Sequence, residues 1–148
     1  MRRVDSIIIE WRKARQRPEL VTGEFILNGR PFLEHCELAT KQTYDVVSPV
    51  GWTTPDYQSA FVERLLLRQP AVLPSGRREV LVCPECADLG CGCISADMAS
   101  EGDYFVWSEI GYENDYDPEM SVIFPMGQFV IPKDELLHQI RRYIPDII

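Results

Sequence analysis

Hydrophobic and polar positions change rhythm several times along this chain, and each change marks an element. Val4 to Trp11 is rich in β-branched residues and predicts a strand, although a short amphipathic helix running on to Arg17 fits the same residues. GEFILNGRPFLEHC (23–36) has two apolar runs around Asn28-Gly29. That dipeptide accepts positive φ at both centres of a type I′ turn and predicts a β-hairpin, with His35 and Cys36 ending its second strand. Residues 39–52 follow no clear period, and Pro49 and Gly51 break whatever precedes them. From Trp52 the period becomes helical, with threonines able to cap and Pro55 suited to the first turn. Tyr57, Phe61, Leu65 and Arg68 mark one face, Val62 and Leu66 lie beside it, and Pro70 ends the run.

Beyond the turn at Pro74-Ser75-Gly76 the rhythm shortens to strands: REVLVC (78–83), CISADM (93–98) and YFVWSEI (104–110), the last two joined at Ser100-Glu101-Gly102. In the last strand Tyr104, Val106, Ser108 and Ile110 should face one way, and Phe105, Trp107 and Glu109 the other. The tail predicts an extended piece at 128–131 and a helix from Pro132. Asp134 and Glu135 in its first turn and Arg141 and Arg142 in its last match the helix dipole. Leu136, Leu137, Ile140, Tyr143 and Ile144 form its apolar stripe, and His138 lies opposite. Strand pairs on short turns with helices set apart predict an α+β class: one domain over residues 1–148, an antiparallel β-sheet packed with two or three helices. No β-α-β alternation or Gly-rich phosphate loop points to a nucleotide fold.

Composition fits this picture: 148 residues, 45% hydrophobic and 26% charged, describe a soluble globular domain. No apolar run approaches the ~18–20 residues that cross a bilayer. The N-terminal apolar core, three isoleucines, is too short for a secretory signal. Five cysteines with no export signal lead us to expect a reducing cytoplasm. The net charge of −8 is unevenly spread. Residues 79–132 carry eleven acidic residues and no Lys, Arg or His, whereas residues 1–78 carry twelve Lys/Arg against nine Asp/Glu. Such a field repels phosphate backbones, which argues against nucleic-acid binding, and attracts a basic partner; it also serves plain solubility.

Four cysteines crowd into CPECADLGCGC, Cys83 to Cys93. Cys83, Cys86, Cys91 and Cys93 are a candidate zinc set, because zinc takes four thiolates in a tetrahedron. Their two pairs are unusually close, and the spacing matches neither the common zinc arrangements nor ferredoxin-type clusters. A redox role needs a cation or helix N-terminus to lower a thiol pKa, and the surroundings are acidic. The plain alternative is that Cys83, Cys91 and Cys93 are small buried hydrophobes in a tight β-turn-β, with no cofactor at all.

WSEIGYENDYDPEM (107–120) interleaves Glu109, Glu113, Asp115, Asp117 and Glu119 with Tyr112 and Tyr116. Tyrosines anchor and carboxylates select a basic partner, which makes these seven residues a candidate protein-binding set. A solvated loop with a tyrosine tucked into the core fits as well. A calcium loop does not: positions six and twelve from Asp115 are Met120 and Met126 where Gly and Glu are needed. Paired carboxylates suited to glycosidic acid/base work occur in any acidic chain. His35 beside Cys36 is no dyad by adjacency alone, and with two histidines nucleophilic catalysis has little to build on.

LPSGRREVLVCPECADLGCG followed by VWSEIGYENDYDP resembles a family of small uncharacterised bacterial proteins that carry V-C-P-E-C-x-D-L-G-C-G and, a strand later, W-S-x-x-G-Y-E-N. The likeness spans roughly residues 74–118 and implies a bacterial origin. A small residue often stands there in place of Cys93, which implies that a four-cysteine site is not a shared trait. The expectation that follows is a non-enzymatic, cytoplasmic binding protein: by analogy of type, an immunity protein that neutralises a basic toxin domain. The alternative is a small four-cysteine zinc domain of structural or regulatory role.

Overall fold

The computed structural model describes residues 3–145. Its N-terminal segment is a strand, β1 (Ile7–Lys13), and not a helix. β1 pairs antiparallel with β2 (Val21–Leu27) from Ile7↔Leu27 to Lys13↔Val21. Asn28 and Gly29 both take left-handed φ, 54° and 79°, as a type I′ turn requires.

The second hairpin arm departs from expectation. Only β3 (Arg30–Pro31) pairs back, and α1 (Phe32–Thr40) starts at once. Pro31 stands immediately before the helix, its ring already fixing a φ of −54°. Phe32 and Cys36, one turn apart, are the helix's buried pair. His35 and Cys36 are therefore helical residues: the Asn28-Gly29 turn predicts a returning strand, and burial of Phe32 and Cys36 on one helix face selects a period of 3.6.

α2 (Pro55–Leu65) begins as predicted, Thr54 Oγ1 accepting from Tyr57 N at 3.2 Å. It stops before Arg68 because Leu67 turns left-handed at φ 61°. The second sheet runs β4 (Arg78–Leu81), β5 (Cys93–Glu101), β6 (Tyr104–Glu113) and β7 (Val122–Ile123), all antiparallel. The β5–β6 reversal falls at Gly102-Asp103, one residue later than expected. β8 (Phe129–Pro132) joins the same edge of β6 below β7, and α3 (Lys133–Tyr143) follows. Leu136, Ile140 and Ile144 of its stripe are buried and His138 is exposed.

The two sheets press together around Trp107, whose ring meets Phe25 at 6.0 Å and Phe32 at 5.8 Å, edge to face. α3 closes one side by lying on β1, where Gln139 Oε1 accepts from Ile9 N at 2.8 Å. Antiparallel sheets of three and five strands with three helices make this an α+β fold.

β6 also corrects the expected alternation. Ser95 pairs with Gly111 but Asp97 with Ser108, so Glu109 and Ile110 both oppose Ala96. This is a β-bulge, with Glu109 at φ 47°. Glu109 consequently leaves the face of Phe105 and Trp107 and stands exposed.

Candidate functional site

Where β4 ends, Val82 bridges back to Val47 and the chain leaves the sheet at Cys83-Pro84. Ala87 N returns to Cys83 O at 2.9 Å, with Ala87 left-handed at φ 58°, so Cys83–Ala87 folds into one tight turn. A 3-10 turn at Leu89–Cys91 follows, capped by Asp88, whose Oδ1 accepts from Gly90 N at 2.8 Å. These two turns bring the sulfurs of Cys83, Cys86 and Cys91 within 4.8 Å of one another. Cys86 Sγ and Cys91 Sγ are 3.6 Å apart, and Asp88 N donates to Cys86 Sγ at 3.4 Å.

Cys93 is not part of this cluster. It starts β5, fully buried, and burial pushes its thiol pKa up, with the Glu113 carboxylate adding to the effect. The element boundary accounts for the division: Cys91 lies outside the strand in the exposed turn and Cys93 inside it. The plain-packing alternative holds for Cys93 and fails for Cys91, which is exposed like Cys86.

The three thiols differ in their hold on a proton. Partial burial of Cys83 works to raise its pKa, but hydrogen bonds from the N–H groups of Glu85 and Cys86 and from the other two thiols outweigh it, and the net direction is down. The Cys91 thiol is pushed up to about 12, first by its hydrogen bond with Cys86 and then by the charge of Cys83. Cys83 thus holds its proton less tightly than an ordinary thiol, and Cys91 more tightly. A thiophilic cation bound by all three would displace their protons.

The acidic loop lies against this knuckle. The Tyr112 hydroxyl donates to Cys91 O at 3.4 Å, and its ring stacks on Tyr44 at 5.4 Å. A Cβ at Gly92 would lie 2.0 Å from that hydroxyl, and Gly92 has φ 97°, so only glycine fits. At Gly90 a Cβ would lie 3.6 Å from the Asp115 carboxylate. Asn114 Oδ1 accepts from Tyr116 N and Asp117 N, and Asp117 Oδ1 accepts from Glu119 N. Those bonds hold the loop's shape and leave Asp115, Tyr116 and Glu119 exposed.

Of the seven predicted partner-binding residues, Glu109, Asp115, Tyr116 and Glu119 are exposed, while Tyr112 and Asp117 are half-buried. Glu113 is lost to the set. It is 3% exposed and paired with Arg77, Nε to Oε2 at 2.7 Å, with Ser95 and Ser121 completing the network. The register of β6 places Glu113 inward, and a buried charge of this kind requires its partner. Residues missed by sequence reasoning include Met120, Val122 and Ile123, each about half exposed and close in sequence to Tyr116. Their signal was the apolar run SVIF directly after a dense row of carboxylates. Tyr44, from a segment without period, left none. Among the described residues no helix is long and apolar enough to cross a membrane. Comparison with protein-family models, curated proteins and solved structures finds no match to this chain.

Proposed function

We propose that this chain is a non-catalytic metal-binding protein in which Cys83, Cys86 and Cys91 hold a zinc ion beside an acidic face that meets a basic protein. The convergence of three sulfurs within 4.8 Å carries this reading. Tetrahedral zinc with Zn–S bonds near 2.3 Å places its sulfurs ~3.8 Å apart, so the triad needs only a small closure. The Cys86–Cys91 distance of 3.6 Å is already there. Thiolates select soft ions, and zinc is the redox-inert one among them. Three thiolates more than neutralise the ion and blunt its Lewis acidity, which favours holding over catalysis. The exposed side of Cys86 and Cys91 leaves the fourth corner to water or to a partner's side chain.

The test is metal content after purification without chelator, followed by zinc titration against a chromophoric competitor. One equivalent is expected. Cys83→Ser, Cys86→Ser and Cys91→Ser should each lower affinity at least tenfold, and Cys93→Ser should leave it unchanged. No binding by the reduced wild-type protein, or equal loss in all four variants, rejects the site.

A second reading, an immunity-type inhibitor of a basic toxin domain, is favoured by Tyr116, which is 73% exposed among Asp115, Glu119 and Met120. An aromatic anchor among carboxylates suits a basic interface. A tagged chain should recover one basic protein in equal amount from the native host, and Asp115→Lys/Glu119→Lys should not. Equal recovery by both removes the loop from the interface.

A further inference from the structure

The outer face of β1 and β2 carries a feature unrelated to the thiols. Register places Arg12 opposite Thr22 and Glu10 opposite Glu24 on the side of the sheet away from Phe25. α1 and residues 44–47 close over this side and leave a cavity of about 410 Å³. That volume falls at the lower end of the ~300–1,000 Å³ typical of small-molecule sites.

Glu24 lines the cavity, yet is only 8% exposed. Both of its hydrogen bonds, from Thr22 Oγ1 and from Ser48 N at 2.8 Å, reach Oε2. Oε1 accepts none, and it is not sealed from the cavity, since the one buried side-chain polar atom without a partner among the described residues is Trp107 Nε1. A buried carboxylate is thus fixed by one oxygen and offers the other to the cavity. At the rim stand Arg12, Lys13 and Arg15 together with Glu34, Glu37 and Asp45, of which Glu34 is paired with Arg30. Arg12 is shared with Glu10 and Arg15 with Glu37, whereas Lys13 makes no ion pair among the described residues. Leu33, Tyr44 and Val46 supply apolar wall.

We propose that this cavity binds a small zwitterion of the free α-amino-acid class, its ammonium donating to Glu24 Oε1 and its carboxylate facing Lys13 and Arg12. Glu24 below and Lys13, which has no ion pair among the described residues, at the rim give a dipolar ligand a partner for each of its charges, whereas a singly charged ligand meets only one of them. Burial raises the proton affinity of the Glu24 carboxyl. A bound ammonium supplies the positive charge that a proton would otherwise bring.

The experiment is a thermal-shift screen of the full chain against the individual L-amino acids at millimolar concentration, with calorimetry on those that act. At least one should stabilise, and its decarboxylated amine and its deaminated acid should not. Glu24→Gln should weaken binding at least tenfold. Should that variant fold poorly, Leu33→Trp, which fills the cavity from its wall, decides the matter by abolishing binding. Amino acids also ligate zinc, so the titration is repeated on Cys86→Ser/Cys91→Ser. Binding that persists there belongs to the cavity. Binding lost there, equal binding by the amine or the acid, binding unaffected by Leu33→Trp, or no amino acid that stabilises would overturn the proposal.

Discussion

From Tyr104 to Trp107, β6 lies between β5 and β8 and turns Trp107 into the aromatic core. At Gly111 and Tyr112 the same strand lies between β5 and the two-residue β7, and there Tyr112 serves the knuckle and the adjoining Glu113 the Arg77 network. The bulge at Glu109 separates these halves. Without the extra residue, strict alternation would place Glu109 and Glu113 on Trp107's face. With it, Ile110 enters the core, Glu113 meets Arg77, and Glu109 stays in water. One residue of slip converts a core strand into the support of a polar site.

The largest effect should come from Glu113, two residues from an acid of the same charge that does something else. Glu113→Ala leaves Arg77, 7% exposed, without its counter-charge. Breaking a buried pair of this kind costs ~3–5 kcal/mol, whereas Asp115→Ala on the exposed loop should stay within about 0.5 kcal/mol. Urea denaturation of the two variants measures the contrast. Equal losses would mean that Glu113 is not the buried partner of Arg77.

Such contrasts show where the sequence was legible. α3 was readable because its apolar stripe, acidic start and basic end all agree, although Leu137 and Tyr143 of the stripe are only half-buried. β4 to β6 were readable as strands from their β-branched and aromatic runs. The bulge was not, since Glu109 carries no glycine signal, and the inward turn of Glu113 depends on it. α1 was misread because a type I′ turn predicts a returning strand, and only the tertiary burial of Phe32 and Cys36 turns that segment into a helix. For the thiols, CPECADLGCGC left a four-cysteine zinc set and plain packing both open. The start of β5 at Cys93 buries that thiol apart from the other three, an element boundary invisible in the spacing. Glu24 stood in plain view as a charge inside the apolar strand VTGEFIL, but its burial needed the cover supplied by residues 44–48.

A middle-sized effect belongs to Gly92, which joins the knuckle to the upper half of β6. Gly92→Ala combines a left-handed backbone with a clash against Tyr112, and should cost ~1–3 kcal/mol. In a Tyr112→Ala background the steric part disappears and the backbone part remains, so the added cost of Gly92→Ala should fall without vanishing. Thermal unfolding of the four combinations forms a double-mutant cycle. An additive result would mean that Tyr112 does not press on Gly92, and would detach the knuckle from β6.

The smallest effect tests the bulge itself, and its sign is what matters. Glu109 holds φ 47° on an exposed position, a conformation that costs a side-chain-bearing residue roughly 1–2 kcal/mol. Glycine adopts it freely but loses ~0.5–1 kcal/mol through its more flexible unfolded chain. Glu109→Gly should therefore raise stability by about 0.5–1 kcal/mol, and Glu109→Val should lower it, because a β-branched residue resists that φ. Chemical denaturation resolves the pair. A loss for glycine would place stabilising contacts on the Glu109 side chain. A gain leaves it free to face a partner, as an exposed carboxylate on a bulge can.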